Sequence, residues 1–298
     1  MSRANRHCNW THVTIFKRAF HYAFLLLLVG CTPSVVGSQP ATGVLFEGKS
    51  EFTHLKVTEE AGIRCLVFGD MDEDKETCID LDNPDRAIFE YTRMMFVGLL
   101  FHPTPKRVLQ VGLGGGFMPM VFQRHLPDIH VDVVEIDPMV SDIAIKYFAF
   151  KPGKTLTVAV ADGRDFIAKS SNKYGQIWLD AFDEEYVPPR LTTIEFLQEV
   201  KKHLTNKGVF VENLHLTHPL FRSQLATVRA AFKQVWVFRG ETSDNAIVVA
   251  ADTPAIEPAQ FPGSAKYFNG HIGSIDLMEE AGKQVLHYSS SGARLLHD

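Results

Sequence analysis

The sequence lacks any excess of positive charge. Its 30 lysines and arginines face 35 aspartates and glutamates, a formal net charge of −5 over 298 residues. Gripping nucleic acid through its phosphates needs a basic surface, so no nucleic-acid partner is expected. Cysteine is scarce, with four in all. There is no C-x-x-C and no Cys/His spacing of the kind that holds zinc, so no metal is expected. No internal repeat or low-complexity tract occurs, which sets aside solenoids and arrays. The longest apolar run, within Ala19 to Gly30, is short for a transmembrane helix. What remains is ordinary globular composition, 45% hydrophobic and 22% charged, with ample core material.

That apolar run follows Arg3, Arg6, Lys17 and Arg18, the order of an export leader. It ends in Leu28-Val29-Gly30-Cys31, which resembles the lipobox of bacterial lipoproteins. The resemblance implies cleavage before Cys31 and lipidation of its thiol. Residues 1–30 are expected as a leader and 31–45 as a polar linker. The chain would then meet the membrane through a lipidated or an uncleaved N-terminus. It would lie on the periplasmic side if Cys31 is processed and in the cytoplasm otherwise. Cys65 and Cys78 flank an acidic loop, Asp70 to Glu76. A cross-strand disulfide and two half-buried thiols are both compatible with that arrangement.

Residues 46–85 read as a small antiparallel sheet, with strands at Phe52–Val57, Ile63–Phe68 and Thr77–Leu81. Asn83-Pro84-Asp85 is a helix start signal, and 86–101 are apolar at helical spacing. From 107 onward, strand and helix alternate. Strands are expected at Val108–Val111, Val131–Val134, Leu156–Val160, Gln176–Leu179 and Gly208–Val211. Helices are expected at 117–125, 138–149, 162–170, 192–204 and 219–232. Trp236–Phe238 and Ala246–Ala250 would add a late antiparallel pair. This is an α/β, doubly wound, Rossmann-like domain over 86–252. The tail, 253–298, is Pro/Gly-rich and expected to be partly disordered, with a weak helix at 275–285.

The densest signal lies between Val108 and Asp137. A strand runs into Gly112-Leu113-Gly114-Gly115-Gly116, and the next strand ends in Glu135-Ile136-Asp137. Glycines let backbone approach a ligand closely, and an acid one strand on suits ribose hydroxyls. A dinucleotide turn would want a third glycine where Phe117 stands. G-x-G-G-G is nearer the G-x-G-x-G turn of S-adenosylmethionine enzymes. The third strand ends in Asp162-Gly163, an acid able to hold an adenine amino group. Gly112, Gly114, Gly116, Glu135, Asp137, Asp162 and Gly163 are therefore the expected donor site. The fourth strand ends in Asp180, with Asp183 three residues on. Such a pair can bind an amine and accept its proton, so both are expected to be catalytic. His215 and His218 could reach the site but are assigned no role.

With these motifs assembled, residues 46–251 resemble the spermidine synthase superfamily. The carriers are V-L-Q-V-G-L-G-G-G, V-E-I-D-P, A-D-G-R-D-F and L-D-A-F-D. The resemblance implies a small β domain before an S-adenosylmethionine-type Rossmann domain. It implies a catalytic aspartate at Asp180 with its companion at Asp183. It also implies a ribose-binding acid at Glu135 and an adenine-side acid at Asp162. Family members often dimerise, so a homodimer through the N-terminal sheet is open. There are departures. The G-G-G-D-G-G of aminopropyltransferases places Gly115 at its aspartate. Their Y-Q-E segment becomes Ile88-Phe89-Glu90, and their S-x-Y-Q-x-I becomes Ser50 to Leu55, with Phe52 and Thr53 inside it. The turn looks more like that of spermidine-synthase-like methyltransferases, one of which forms half of a eukaryotic elongation-factor methyltransferase. Methyl transfer from S-adenosylmethionine to an amine or other cationic acceptor is accordingly preferred. Aminopropyl transfer from decarboxylated S-adenosylmethionine, in polyamine biosynthesis, is the alternative. A non-catalytic nucleoside-binding lipoprotein is a third.

Overall fold

A computed structural model describes residues 43–69, 75–182, 187–252 and 257–298. The leader, Cys31 and Asp183 fall outside the described residues. Four antiparallel strands come first: β1 (Gly43–Lys49), β2 (His54–Glu60), β3 (Ile63–Phe68) and β4 (Lys75–Asp80). The alternation of β2 turns Leu55 and Val57 inward. With Leu66 they pack on Val140, Ile143 and Phe148. Strand β1 begins at Gly43, inside the expected linker. Cys65 and Cys78 face each other across β3 and β4 and are joined in a disulfide.

The expected helix over 86–101 is two short ones, α1 (Glu90–Met95) and α2 (Gly98–Phe101). The reason is packing at Gly98. A Cβ there would stand 2.7 Å from Val211 Cγ2, so the chain presses backbone against the sheet. The methionine and phenylalanine stripe is core, with Met94, Met95 and Phe96 fully buried.

Strand and helix then alternate as expected: β5 (Arg107–Val111), α3 (Phe117–His125), β6 (His130–Glu135), α4 (Pro138–Tyr147), β7 (Leu156–Val160), α5 (Gly163–Lys169), β8 (Tyr174–Leu179), α6 (Ile194–His203), β9 (Leu204–His215), α7 (Phe221–Ala231), β10 (Gln234–Arg239) and β11 (Asn245–Ala251). Strands β7, β6, β5, β8 and β9 run parallel in that spatial order, and β11 and β10 follow antiparallel. The order reverses between β5 and β8. Ligands of such sheets bind outside the carboxyl ends of the strands at that switch point. Side chains of alternate parity fill two cores, one around Phe96, Phe122 and Trp178, the other around Phe196, Phe210 and Leu225.

The tail, expected to be partly disordered with a weak helix at 275–285, has that helix and more among its described residues. Residues 257–298 carry α8 (Phe261–Ala265), the bridge strands β12 (His271–Ile272) and β13 (Ile275–Asp276), α9 (Leu277–Gly282), and β14 (Gln284–Val285) on the edge of the large sheet. Phe261, Ile275 and Leu277 anchor this segment in the core. Lys283 Nζ lies 3.0 Å from Glu90 and 2.7 Å from Glu280, all three side chains nearly buried. Ser289 to Ala293 is held too, with the Arg229 guanidinium donating to the Tyr288 carbonyl and Ser290 Oγ. Pro/Gly composition concealed these anchors, because they are few and their partners lie far away in sequence.

One buried acid has no role in the cleft described below. Glu212 on β9 is 1% exposed and its Oε2 has no hydrogen-bond partner. Burial pushes its carboxyl up to about 8. The folded state thus holds a proton that the unfolded state releases above its ordinary carboxylate range. That stability is complete below about pH 4.5 and is lost as pH rises through about 8, by up to about 1.4 kcal/mol per unit. We expect E212Q to gain stability over the parent between pH 5 and pH 8 in thermal denaturation, with the gain levelling off above that. A pH-independent difference would overturn this.

Candidate active site at the switch point

The site begins with a steric demand. Gly112 has φ 93°, and a Cβ on it would stand 2.1 Å from the carbonyl oxygen of Asp180. No side chain fits there. The demand arises because β5 and β8 are bonded to their ends, with Asp180 N donating to the Val111 carbonyl at 2.9 Å. Gly114 is also left-handed, φ 53°, and its hypothetical Cβ meets nothing closer than Thr77 at 3.7 Å. Gly116 corrects the expected cradle. It faces Phe150, 2.6 Å from its hypothetical Cβ, and precedes α3 rather than lining the cleft. Gly115 has no room for any side chain, with Thr77 Cγ2 at 2.6 Å and the Phe148 ring at 2.8 Å.

Around this turn lies a cleft of about 360 Å³. It brings together Gly112, Gly114, Glu135, Asp137, Asp162, Gly163 and Asp180. Glu135 staples the turn to β6. Its Oε2 accepts from Leu113 N and its Oε1 from Asp137 N, both at 2.9 Å. Burial raises its carboxyl, while these amides work against the rise. Asp137 caps α4, its Oδ1 accepting from Met139 N at 2.8 Å. Its other oxygen is buried without a partner. Asp162 caps α5, its Oδ1 accepting from Asp165 N at 3.0 Å. Its Oδ2 takes a 2.7 Å ion pair from Arg190. Gly163 allows α5 to start against Val111, whose Cγ1 lies 2.5 Å from the hypothetical Cβ.

Asp180 stands at the end of β8. Its Oδ1 accepts from Asn213 Nδ2 at 2.9 Å, and Asn213 Oδ1 accepts from Asn245 at 3.0 Å. Loss of water raises its carboxyl to about 6, with the Asn213 bond pulling the other way. Tyr91 and Thr92 of α1 complete this wall. The Tyr91 hydroxyl donates to the Glu76 carbonyl at 3.0 Å. Burial, with the charges of Asp180 and Glu76, keeps that phenol protonated.

Asn213, Asn245, Tyr91, Thr92 and Arg190 were not expected at the site. The one signal was Asn213, a polar residue at the end of the apolar run Val209 to Val211 and next to Glu212. Ile88-Phe89-Glu90, which stands where aminopropyltransferases carry Y-Q-E, is not among the residues lining the cleft. Glu90 instead accepts from Glu241 N and Thr242 N and pairs with Lys283. His215 bonds Thr217 and is not among the lining residues. The charge of the wall is lopsided. Among the described residues it carries Glu51, Glu76, Glu135, Asp137, Asp162 and Asp180 against Arg190 alone.

A mixed sheet with this turn and with acids after three of its strands, Glu135 and Asp137 after β6, Asp162 after β7 and Asp180 after β8, is an S-adenosylmethionine-type transferase fold. The chain belongs to the spermine/spermidine synthase family: residues 88–239 match the Spermine/spermidine synthase domain. It is 38% identical over 233 residues to a polyamine aminopropyltransferase of Vibrio vulnificus, covering 76% of this chain and 77% of that protein. It is 33% identical over 177 residues to the eEF1A lysine and N-terminal methyltransferase of Mus musculus. That match spans 53% of this chain and 25% of the mouse protein. Among solved structures it resembles human methyltransferase-like protein 13 in complex with SAH, with 28% identity and TM-score 0.57 over 68% of this chain and 97% of that one. The protein is thus a spermidine-synthase-like transferase. The expected alternative of a non-catalytic lipoprotein finds no support among these relatives.

The two lining glycines of the turn differ in what they permit. Gly112→Ala is expected to destabilise by more than about 3 kcal/mol, because strand ends must part. Gly114→Ala should cost only about 1 kcal/mol for its left-handed backbone. Chemical denaturation of both variants measures this. Equal losses would show that the Gly112–Asp180 approach is not the constraint.

Proposed function

We propose that the protein transfers an aminopropyl group from decarboxylated S-adenosylmethionine to a cationic primary amine. The charge of the cleft carries this reading. Six carboxylates and one guanidinium, itself paired with Asp162 and Asp165, suit two cationic substrates. An intact methionine end would bring a carboxylate to a wall whose one cation among the described residues, Arg190, is already paired. The Vibrio vulnificus relative, by its name, supports the same reaction.

The residues present fit such a donor. Each Glu135 oxygen accepts one amide hydrogen and keeps a lone pair for a ribose hydroxyl. The unpartnered Asp137 oxygen is a further acceptor at the same strand end. Asp162 and the Gly163 backbone would take the adenine. When bound, a sulfonium donor supplies an activated carbon and leaves as a neutral thioether. The protein's part is to place the amine in line and receive its proton. Asp180 does the second. With its carboxyl near 6 it is ionised at neutral pH yet more basic than a solvated aspartate. Asn213 fixes its orientation through one oxygen, leaving the other for the amine.

Methyl transfer, the preference from sequence, is the second reading, and Gly115 favours it. The aspartate that resembling aminopropyltransferases place there has no room between Thr77 and Phe148. An aminopropyl amine would lack that ligand. Calorimetry with both donors separates the readings. We expect decarboxylated S-adenosylmethionine to bind more tightly, and methylthioadenosine to form in the presence of a diamine. Tighter binding of S-adenosylmethionine, with transfer of its methyl group, would overturn the first reading.

Asp180→Asn is expected to lower kcat at least about 100-fold under either reading. In the parent, kcat/KM should fall as pH drops through about 6, as Asp180 becomes protonated. A profile flat down to pH 5 would remove Asp180 as the base.

A further inference from the structure

Arg190 sits where the donor's adenine is expected. It follows the buried anchor Val187 and lies in a short 3-10 turn, Pro189–Leu191, pinned by buried Leu191. Arg164 also holds this turn, donating to the Arg190 carbonyl at 3.2 Å. The Arg190 guanidinium reaches two carboxylates on α5. Nη1 is 2.7 Å from Asp162 Oδ2 and Nη2 is 3.2 Å from Asp165 Oδ1. Both Arg190 and Asp162 line the cleft, whereas Asp165 does not.

Asp162 is already bonded at both oxygens before any ligand arrives: Oδ1 caps α5 and Oδ2 holds Arg190. Each oxygen keeps a lone pair, but an exocyclic amine approaching Oδ2 has to share it with the guanidinium, which weakens the hold of Asp162 on that amine. Leaving Arg190 uncompensated would be costly, but Asp165 is already in contact and can keep it. We propose that Arg190 sets affinity at the nucleoside end by competing with the donor for Asp162, and that Asp165 takes over the displaced guanidinium. This rests on the reading in which Asp162 receives the adenine. Arg190 thereby narrows the preference that Asp162 gives to an amino group at that edge over a carbonyl. A carbonyl would meet the Arg190 guanidinium instead of the acid.

The test uses the full chain and 5′-methylthioadenosine, an uncharged probe common to both readings of the reaction. Arg190→Met keeps the aliphatic stem and removes the ion pairs. It should tighten the probe about two- to fivefold, the range of an exposed pair. Asp165→Asn should weaken it about twofold, because Arg190 is then left to Asp162 alone. In the Arg190→Met background Asp165→Asn should have no effect. Arg190→Lys, with one point charge in place of a fork, should fall between. Parent affinity should rise from low to moderate salt, as the exposed guanidinium is screened, while Arg190→Met stays flat. Equal or weaker binding by Arg190→Met overturns the proposal. Asp162→Asn, which preserves the helix cap, separates the two levels when measured in the Arg190→Met background. If it weakens the probe while Arg190→Met alone matches the parent, the adenine assignment stands and only the competition fails. If it changes nothing, the adenine assignment fails and the competition with it.

Discussion

The approach of Gly112 to the Asp180 carbonyl fixes the centre of this molecule. Two parallel strands, β5 and β8, are bonded up to their last residues, and the chain must then leave in opposite directions. Only a residue without Cβ allows the β5 end to turn away beneath β8. That single contact places the glycine turn and Asp180 within one wall. It also leaves the cleft between them open at the point where the sheet changes direction. Glu135 then locks the result. By accepting the Leu113 and Asp137 amides it ties the turn to the neighbouring strand and gives two otherwise buried donors a partner.

The acids of the site serve the fold as much as the ligand. Asp137 and Asp162 are both helix caps, each accepting an amide of the helix that follows its strand. An acid at the end of a β-strand, one residue before a helix, fills a structural role that serine or asparagine could fill as well. The functional content lies in the second oxygen. In Asp137 that oxygen is buried and unpartnered, and in Asp162 it holds an arginine from across the cleft. Each cap thus presents one committed oxygen and one that a ligand can address.

Much of this was legible in the sequence because its signals are local. The glycine turn, the acids at strand ends and the βα alternation all lie within a few residues of the elements they announce. Helix α3 and strand β7 fall where the periodicity put them. What stayed hidden depends on partners far away in the chain. Asn213 is recognisable only once β8 and β9 lie side by side. Arg190 meets Asp162 from 28 residues away, and Lys283 meets Glu90 from nearly 200. The break between α1 and α2 came from Gly98 packing on β9, which apolar spacing cannot report. Gly116 looked like the third member of a cradle, but its neighbour in space is Phe150. A composition rich in proline and glycine made the tail look partly loose, whereas a few apolar anchors and a buried charge cluster hold residues 257–298 to α1 and the sheet edge.

In the proposed reaction, the burial that raises Asp180 also sets the moment at which it acts. A carboxylate drawn out of water binds an ammonium strongly, and that ammonium in turn favours the ionised acid. The proton therefore does not move in the resting pair, since an alkylammonium is far less acidic than a carboxyl near 6. The amine reacts only as its free base, so the site must make deprotonation easier. A wall of carboxylates works against this, because it stabilises the ammonium. The donor's own sulfonium works for it, as a second positive charge placed against the first. Binding both cations in one acidic cleft thus offsets the repulsion between them and leaves the amine's proton as the charge most readily given up. On the proposed reading Asp180, held by Asn213 through one oxygen, takes that proton.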